Sequence, residues 1–130
     1  MTKNLDNDGL RSIVENYDIF YIDLWGVVHN GIALYKNAIE ALEEITKANK
    51  DYVLLTNAPR PNKTVNNFLE KMGMNKEIRE KVYSSGEAAL NYLRKNSLEE
   101  KFYHIGPPRD FDLFLDFKKN KTNGIKESSY

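Results

Sequence analysis

The sequence has no cysteine. That removes disulfides, thiolate nucleophiles and cysteine metal ligands at one stroke. Net charge is missing too, since nineteen lysines and arginines balance nineteen aspartates and glutamates. A strongly basic nucleic-acid surface is therefore not expected. No apolar run approaches the ~20 residues of a membrane helix. The opening MTKNLDNDGL lacks the apolar stretch of a secretion signal. Neither nucleic acid nor membrane is expected as a partner, and the expected location is cytoplasmic. What remains is an ordinary soluble composition. Hydrophobic residues make up 41% of the 130, too many for a wholly disordered chain. The length corresponds to one domain, able to bury roughly two thirds of its unfolded surface.

The apolar pattern alternates between two periods. Leu10, Ile13, Val14 and Tyr17 have helical spacing. Ile19 to Trp25 is apolar on both strand faces, as for a strand covered on both sides. Only Asp23 interrupts it. Val27 to Leu34 contains Asn30-Gly31, which predicts a hairpin with a type I′ turn. Ala38, Ala41, Leu42 and Ile45 mark a second helix, ending near Asn49. Tyr52 to Leu55 predicts a second buried strand, leading into Thr56-Asn57-Ala58-Pro59. Val65, Phe68, Leu69 and Met72 mark a third helix, stopped by Gly73. Lys81 to Ser84 predicts a third strand. Ser84 and Glu87 have capping-box spacing for a helix from about Gly86 to Asn96. Phe102 to Ile105 is a fourth strand candidate, closed by Gly106-Pro107-Pro108. Strands alternating with helices predict an α/β fold with a parallel sheet. After Phe117 the pattern ends, so residues 118–130 are expected to form a disordered tail.

In open α/β sheets, ligands bind outside the carboxyl ends of the strands. Asp23 ends the first predicted strand, and Thr56-Asn57 ends the second. At these two places the sequence becomes recognisable. DLWGVVHNG, from Asp23, and LLTNAPR, from Leu54, resemble motifs I and II of the haloacid dehalogenase (HAD) superfamily of hydrolases. They are closest to a IIA subgroup with tryptophan at the third motif I position. YSSGEAALNYL and YHIGPPRD resemble later parts of the same pattern.

The resemblance implies a partial HAD-type Rossmann-like parallel sheet with flanking helices, its first strand followed by a flap hairpin. It implies an N-terminal part of the HAD core over 1–99 and the start of a truncated cap region over 100–117. The cap domain and the later core strands would be missing. It further implies phosphate-ester hydrolysis of a phosphorylated small molecule, with Asp23 as a nucleophile that forms an aspartyl-phosphate. The Asp23 carboxylate and the Trp25 backbone carbonyl would contact Mg²⁺. The Thr56 hydroxyl and the Asn57 backbone N–H would bind the phosphoryl group. Arg60, beside that group, is a possible anion contact or an ordinary surface arginine at a helix entry.

Two departures from the family pattern stand out. Trp25 occupies the place of the aspartate that protonates the leaving group, and indole has no titratable proton near neutral pH. The motif III lysine and the motif IV acidic pair are absent, and Asp110, Asp112 and Asp116 do not replace that pair. Mg²⁺ would then bind weakly, and the chain by itself is expected to be incomplete and inactive. The first strand would be left as an exposed edge, open to self-association or to a complementing chain. The alternative is a non-catalytic interaction or phosphate-binding module, or half of a split enzyme that pairs through that edge. Elsewhere the ordinary readings hold. His29 reads as a solvated flap residue, His104 as packing, and Glu40, Glu43, Glu44 and Lys47 as a solvated helix face with a Glu43–Lys47 pair.

Overall fold

The computed structural model describes residues 5–96 and 99–129. Three parallel strands form its sheet in the order β1-β2-β3: β1 (Ile19–Asp23), β2 (Asp51–Thr56) and β3 (Val82–Ser84). Helix α2 (Lys36–Lys47) links the first pair, and α3 (Asn62–Lys71) with the short α4 (Lys76–Arg79) links the second. A four-residue α1 (Leu5–Asp8) precedes the sheet and α5 (Ser85–Asn96) follows it. The α/β fold expected from the sequence, a parallel sheet with flanking helices, is present.

Helix ends follow from particular residues. Asn49, at φ +55°, supplies the left-handed position that ends α2, and Lys50 N–H returns to the Ile45 carbonyl at 3.1 Å. Gly73, at φ +83°, does the same for α3, with Met74 N–H on the Leu69 carbonyl at 3.1 Å. Both are Schellman-type endings.

Both crossovers run in the same direction along the sheet, so right-handed connections put their helices on one face. There Leu42 and Ile45 of α2 and Val65 and Leu69 of α3 pack with Tyr52, Leu54 and Val82 of the sheet, and with Phe20 and Ile22. The opposite face is open. Ile19, Leu55 and Tyr83 are exposed there, and Tyr21 is 67% exposed. The expectation that β1 is covered on both sides therefore fails, because no described residue covers its second face. β1 also pairs with one neighbour only. Its other edge has no strand beside it among the described residues.

Four other expectations are corrected. Leu10 to Tyr17 forms two 3₁₀ turns (Leu10–Ser12 and Val14–Asn16), not one helix. Gly9 at φ +64° and Ile13 at φ −130° interrupt the backbone at the start and in the middle. The turn after β1 is not type I′, because Gly31 has positive φ but Asn30 does not. The Asn30 side chain closes it instead, accepting the Ile32 and Ala33 N–H groups at 2.9 and 2.8 Å. Phe102 to Ile105 adds no strand to the sheet. Phe102 forms an isolated bridge with Lys121, since residues 120–122 supply its partner: Phe102 N–H donates to the Asn120 carbonyl, and Thr122 N–H to that of Phe102.

That bridge also corrects the disordered tail. Residues 108–120 form 3₁₀ structure, Thr122 is buried, and Ser129 N–H reaches the Lys101 carbonyl at 2.8 Å. Phe102 and Phe117 bury against Leu90 of α5 in a second, smaller core, with Phe111 and Phe114 beside them.

Candidate active site

β1 and β2 run parallel with Asp23 opposite Leu55, so the two strands end side by side. Neighbouring strands lie about 4.8 Å apart. Pairing therefore brings Asp23 and Thr56-Asn57 together although 32 residues lie between Asp23 and Thr56. They line one open cavity of about 280 Å³, with Leu55, Tyr83, Ser84 and Ser85. The Asp23 side chain is exposed, and its Oδ1 accepts the Leu24 N–H at 2.8 Å. Thr56 Oγ1 accepts the Ala58 N–H at 3.2 Å, which leaves the hydroxyl proton to donate outward.

The loop after β2 is braced by the start of α5. Ser85 Oγ donates to the carbonyls of Asn57 and Ala58 at 2.9 and 3.1 Å. Ser84 Oγ donates to the Arg60 carbonyl at 2.5 Å and accepts the Glu87 N–H at 3.0 Å. The expected capping box is thus half formed. The Glu87 carboxylate turns away to accept the Asn62 N–H at 2.9 Å and to pair with Arg94. Gly86 lets the two backbones meet, since a Cβ there would lie 2.4 Å from the Arg60 nitrogen.

Arg60 lines a recess together with Thr56 and Asn57, with its guanidinium tied to the segment that follows α5. Its guanidinium donates to Asp112 and Asp110 at 2.6 Å each and to the Arg109 carbonyl at 2.6 Å. Two carboxylates on one 3₁₀ segment already satisfy it. His29 departs further from expectation, because it is buried, with 4% of its surface exposed. Its Nδ1 accepts the Gly31 N–H at 3.0 Å. Its ring meets Trp25 and Phe68 edge-on, at centroid separations of 5.5 and 5.8 Å. Burial lowers the His29 pKa, and the nearby Asp23 charge partly opposes that shift. A flap residue between Val28 and Asn30 carries no periodic signal of burial, so its sequence context could not reveal this. His104 packs as expected, against Phe111 and Phe114.

Beside Thr56 and Asn57 a second recess opens, about 440 Å³, lined by Trp25, His29, Val65 and Phe68 among others. A larger crevice of about 690 Å³ lies between the N-terminal turns and α2. It contains none of the strand-end residues.

A family profile described as haloacid dehalogenase-like hydrolase matches residues 20–117. The chain belongs to this family. Its structural neighbours include a putative nagD protein and a p-nitrophenyl phosphatase from Archaeoglobus fulgidus. A haloacid dehalogenase-like hydrolase from Brucella suis is 28% identical with a TM-score of 0.66, over 82% of this chain and 38% of that one. A 4-nitrophenylphosphatase from Thermotoga maritima shares the fold at 22% identity and a TM-score of 0.63, over 78% and 39% of the two chains. A glycerol phosphate phosphatase from Mycobacterium tuberculosis, in complex with calcium, does so at 21% and 0.58, over 84% and 31%. No curated protein matches the sequence. The HAD chain thus spans well under half the length of these structural relatives.

The HAD residues present do not complete a metal site. Among the described residues no group of three or more histidine or acidic side chains could hold an ion. Asp23 and the Trp25 carbonyl offer two protein oxygens, whereas Mg²⁺ takes six ligands in a near-ideal octahedron. No described helix is long and apolar enough to cross a membrane.

Proposed function

We propose that these residues carry the nucleophile side of a Mg²⁺-dependent phosphate-ester hydrolase and are inactive by themselves, since they hold neither the lysine nor the acidic metal ligands that the reaction needs. The observation that supports it most is the convergence of Asp23 and Thr56-Asn57 on one cavity at adjacent strand ends. In this reading Asp23 attacks phosphorus and the ester oxygen leaves. Thr56 Oγ–H and the Asn57 N–H hold the phosphoryl oxygens in the meantime. Trp25 cannot protonate the leaving group, so esters with good leaving groups are favoured. The substrate is a phosphorylated small molecule, and the setting is cytoplasmic.

A second reading rests on the open β1 edge and the uncovered face beside it. In it the chain is a non-catalytic interaction or phosphate-binding module that joins another chain by strand addition. An assay of the purified chain with a generic phosphate ester and Mg²⁺, alongside Asp23→Asn, tests the first reading. A folded, silent chain is expected. Turnover abolished by Asp23→Asn would keep the nucleophile and discard the inactivity. Turnover insensitive to Asp23→Asn would remove Asp23 from the mechanism.

A further inference from the structure

Arg60 belongs to two surroundings at once. On one side it lines the recess that Thr56 and Asn57 also line. On the other its guanidinium holds the start of the 3₁₀ segment from Pro108 to Asn120, through Asp110, Asp112 and the Arg109 carbonyl at 2.6 Å each. All three charged side chains are partly buried, so salt screens them less than it would a surface pair. The Arg60 backbone is fixed independently. Ser84 Oγ donates to its carbonyl at 2.5 Å, and Gly86 packs against its nitrogen and oxygen. Any exchange of partners at Arg60 is therefore confined to the side chain.

The 3₁₀ segment is anchored unevenly. Its later part buries Phe117 and stacks Phe114 against Phe102, and Asp116 pairs with Arg94 of α5. Its first turn, the packing of Phe111 apart, depends on polar contacts. These are the Arg60 bonds, Thr64 Oγ1 donating to Asp112 at 3.0 Å, and Asp110 N–H donating to the Pro107 carbonyl at 3.0 Å. None of the three Arg60 bonds uses its Nε–H. The guanidinium thus keeps a donor with which to meet an anion before it releases the carboxylates.

We propose that Arg60 is a latch: an oxyanion held by Thr56 and Asn57 draws the guanidinium away from Asp110 and Asp112 and loosens the first turn of the segment. Phosphate offers Arg60 the same forked acceptor as a carboxylate. The two carboxylates and the oxyanion compete for one guanidinium. By linkage, the docked segment weakens the anion by the same factor as the anion weakens the docking. The segment is in that sense autoinhibitory, and it reports occupancy of the strand ends to residues 108–112. The inference rests on the phosphate-binding reading of Thr56 and Asn57 above, and adds its regulation.

Hydrogen exchange of the full chain tests it, with inorganic phosphate added against sodium chloride at matched ionic strength and Mg²⁺ in every sample. Phosphate is expected to speed exchange at residues 109–113 at least about fivefold, the lower end of ordinary coupling between sites. Chloride should leave those residues unchanged, and Thr56→Val should remove the phosphate effect. Asp112→Asn, which keeps the shape and an acceptor for Thr64, should tighten phosphate binding about fivefold. Asp116→Asn removes the same charge from the same segment but does not touch Arg60, and should leave that affinity unchanged. Phosphate that protects residues 56–58 without changing exchange at 109–113 would overturn the latch and leave the phosphate reading standing. Equal acceleration by chloride, or equal effects of Asp112→Asn and Asp116→Asn, would reduce the contact to general electrostatics and overturn the latch as well. No response to phosphate at residues 56–58 would overturn both readings together.

Discussion

Gly86 lacks a side chain at a point where there is no room for one. A Cβ would meet the Arg60 backbone nitrogen and oxygen at 2.4 and 2.5 Å, and backbone cannot swing aside as a side chain can. Gly86→Ala should therefore push the loop after β2 away from α5 and cost about 1–3 kcal/mol, read as a lower urea midpoint. His29 gives a pH signature. Its folded pKa is depressed by burial, so below the ordinary imidazole value of ~6.5 the unfolded chain takes up the proton first. Stability then falls as pH drops through that value toward the lowered one, and recovers as pH rises. Denaturant melts between pH 5 and 8 should show this slope, and His29→Gln should flatten it. Asp23→Asn removes the charge that opposes the depression, so an NMR titration of that variant should find the His29 pKa lower still. Asp23, Thr56 and Asn57 were legible in the sequence because each ends a predicted strand and sits in a motif. His29 and Phe68 were not. His29 lies in an aperiodic turn, and the spacing of Phe68 on α3 fits the core face, although the ring lies where that face meets the recess.

At the scale of elements, the crossover units were readable wherever a period of two or 3.6 ran for several residues. α2, β2, α3, β3 and α5 all appear close to their expected places. The failures share a physical cause. Leu10 to Tyr17 was too short to hold a helix past Gly9 and Ile13. Residues 118–129 have little apolar content of their own, and take their order from hydrogen bonds to residues 101 and 102 and from the Phe117 anchor. The expected Glu43–Lys47 pair was displaced one residue along α2, with Lys47 Nζ on Glu44 at 2.7 Å. The 3₁₀ segment from Pro108 to Asn120 is held to the loop before α3 by Arg60, and to α3 itself by Thr64 Oγ1 donating to Asp112 at 3.0 Å. Arg60→Ala should cost about 1.5–3 kcal/mol, the range for hydrogen bonds to charged groups. The loss should be local. Hydrogen exchange should speed up through residues 108–120 while the β1–β3 amides keep their protection.

For the whole molecule, the open face and the free β1 edge are the dominant features. Ile19 and Tyr21 expose apolar surface along a strand whose outer side has no neighbouring strand among the described residues, a standing template for pairing. Light scattering over a concentration series should show self-association of the purified chain, and Tyr21→Lys should reduce it without loss of helical circular dichroism. The central claim concerns the other end of the sheet, where pairing brings Asp23 to Thr56-Asn57. The most direct test is to follow backbone amide NMR shifts as inorganic phosphate and Mg²⁺ are added. The account predicts shifts concentrated at residues 23–26 and 56–58 and abolished by Thr56→Val. Shifts centred on the crevice between the N-terminal turns and α2, or shifts that survive Thr56→Val, would contradict it.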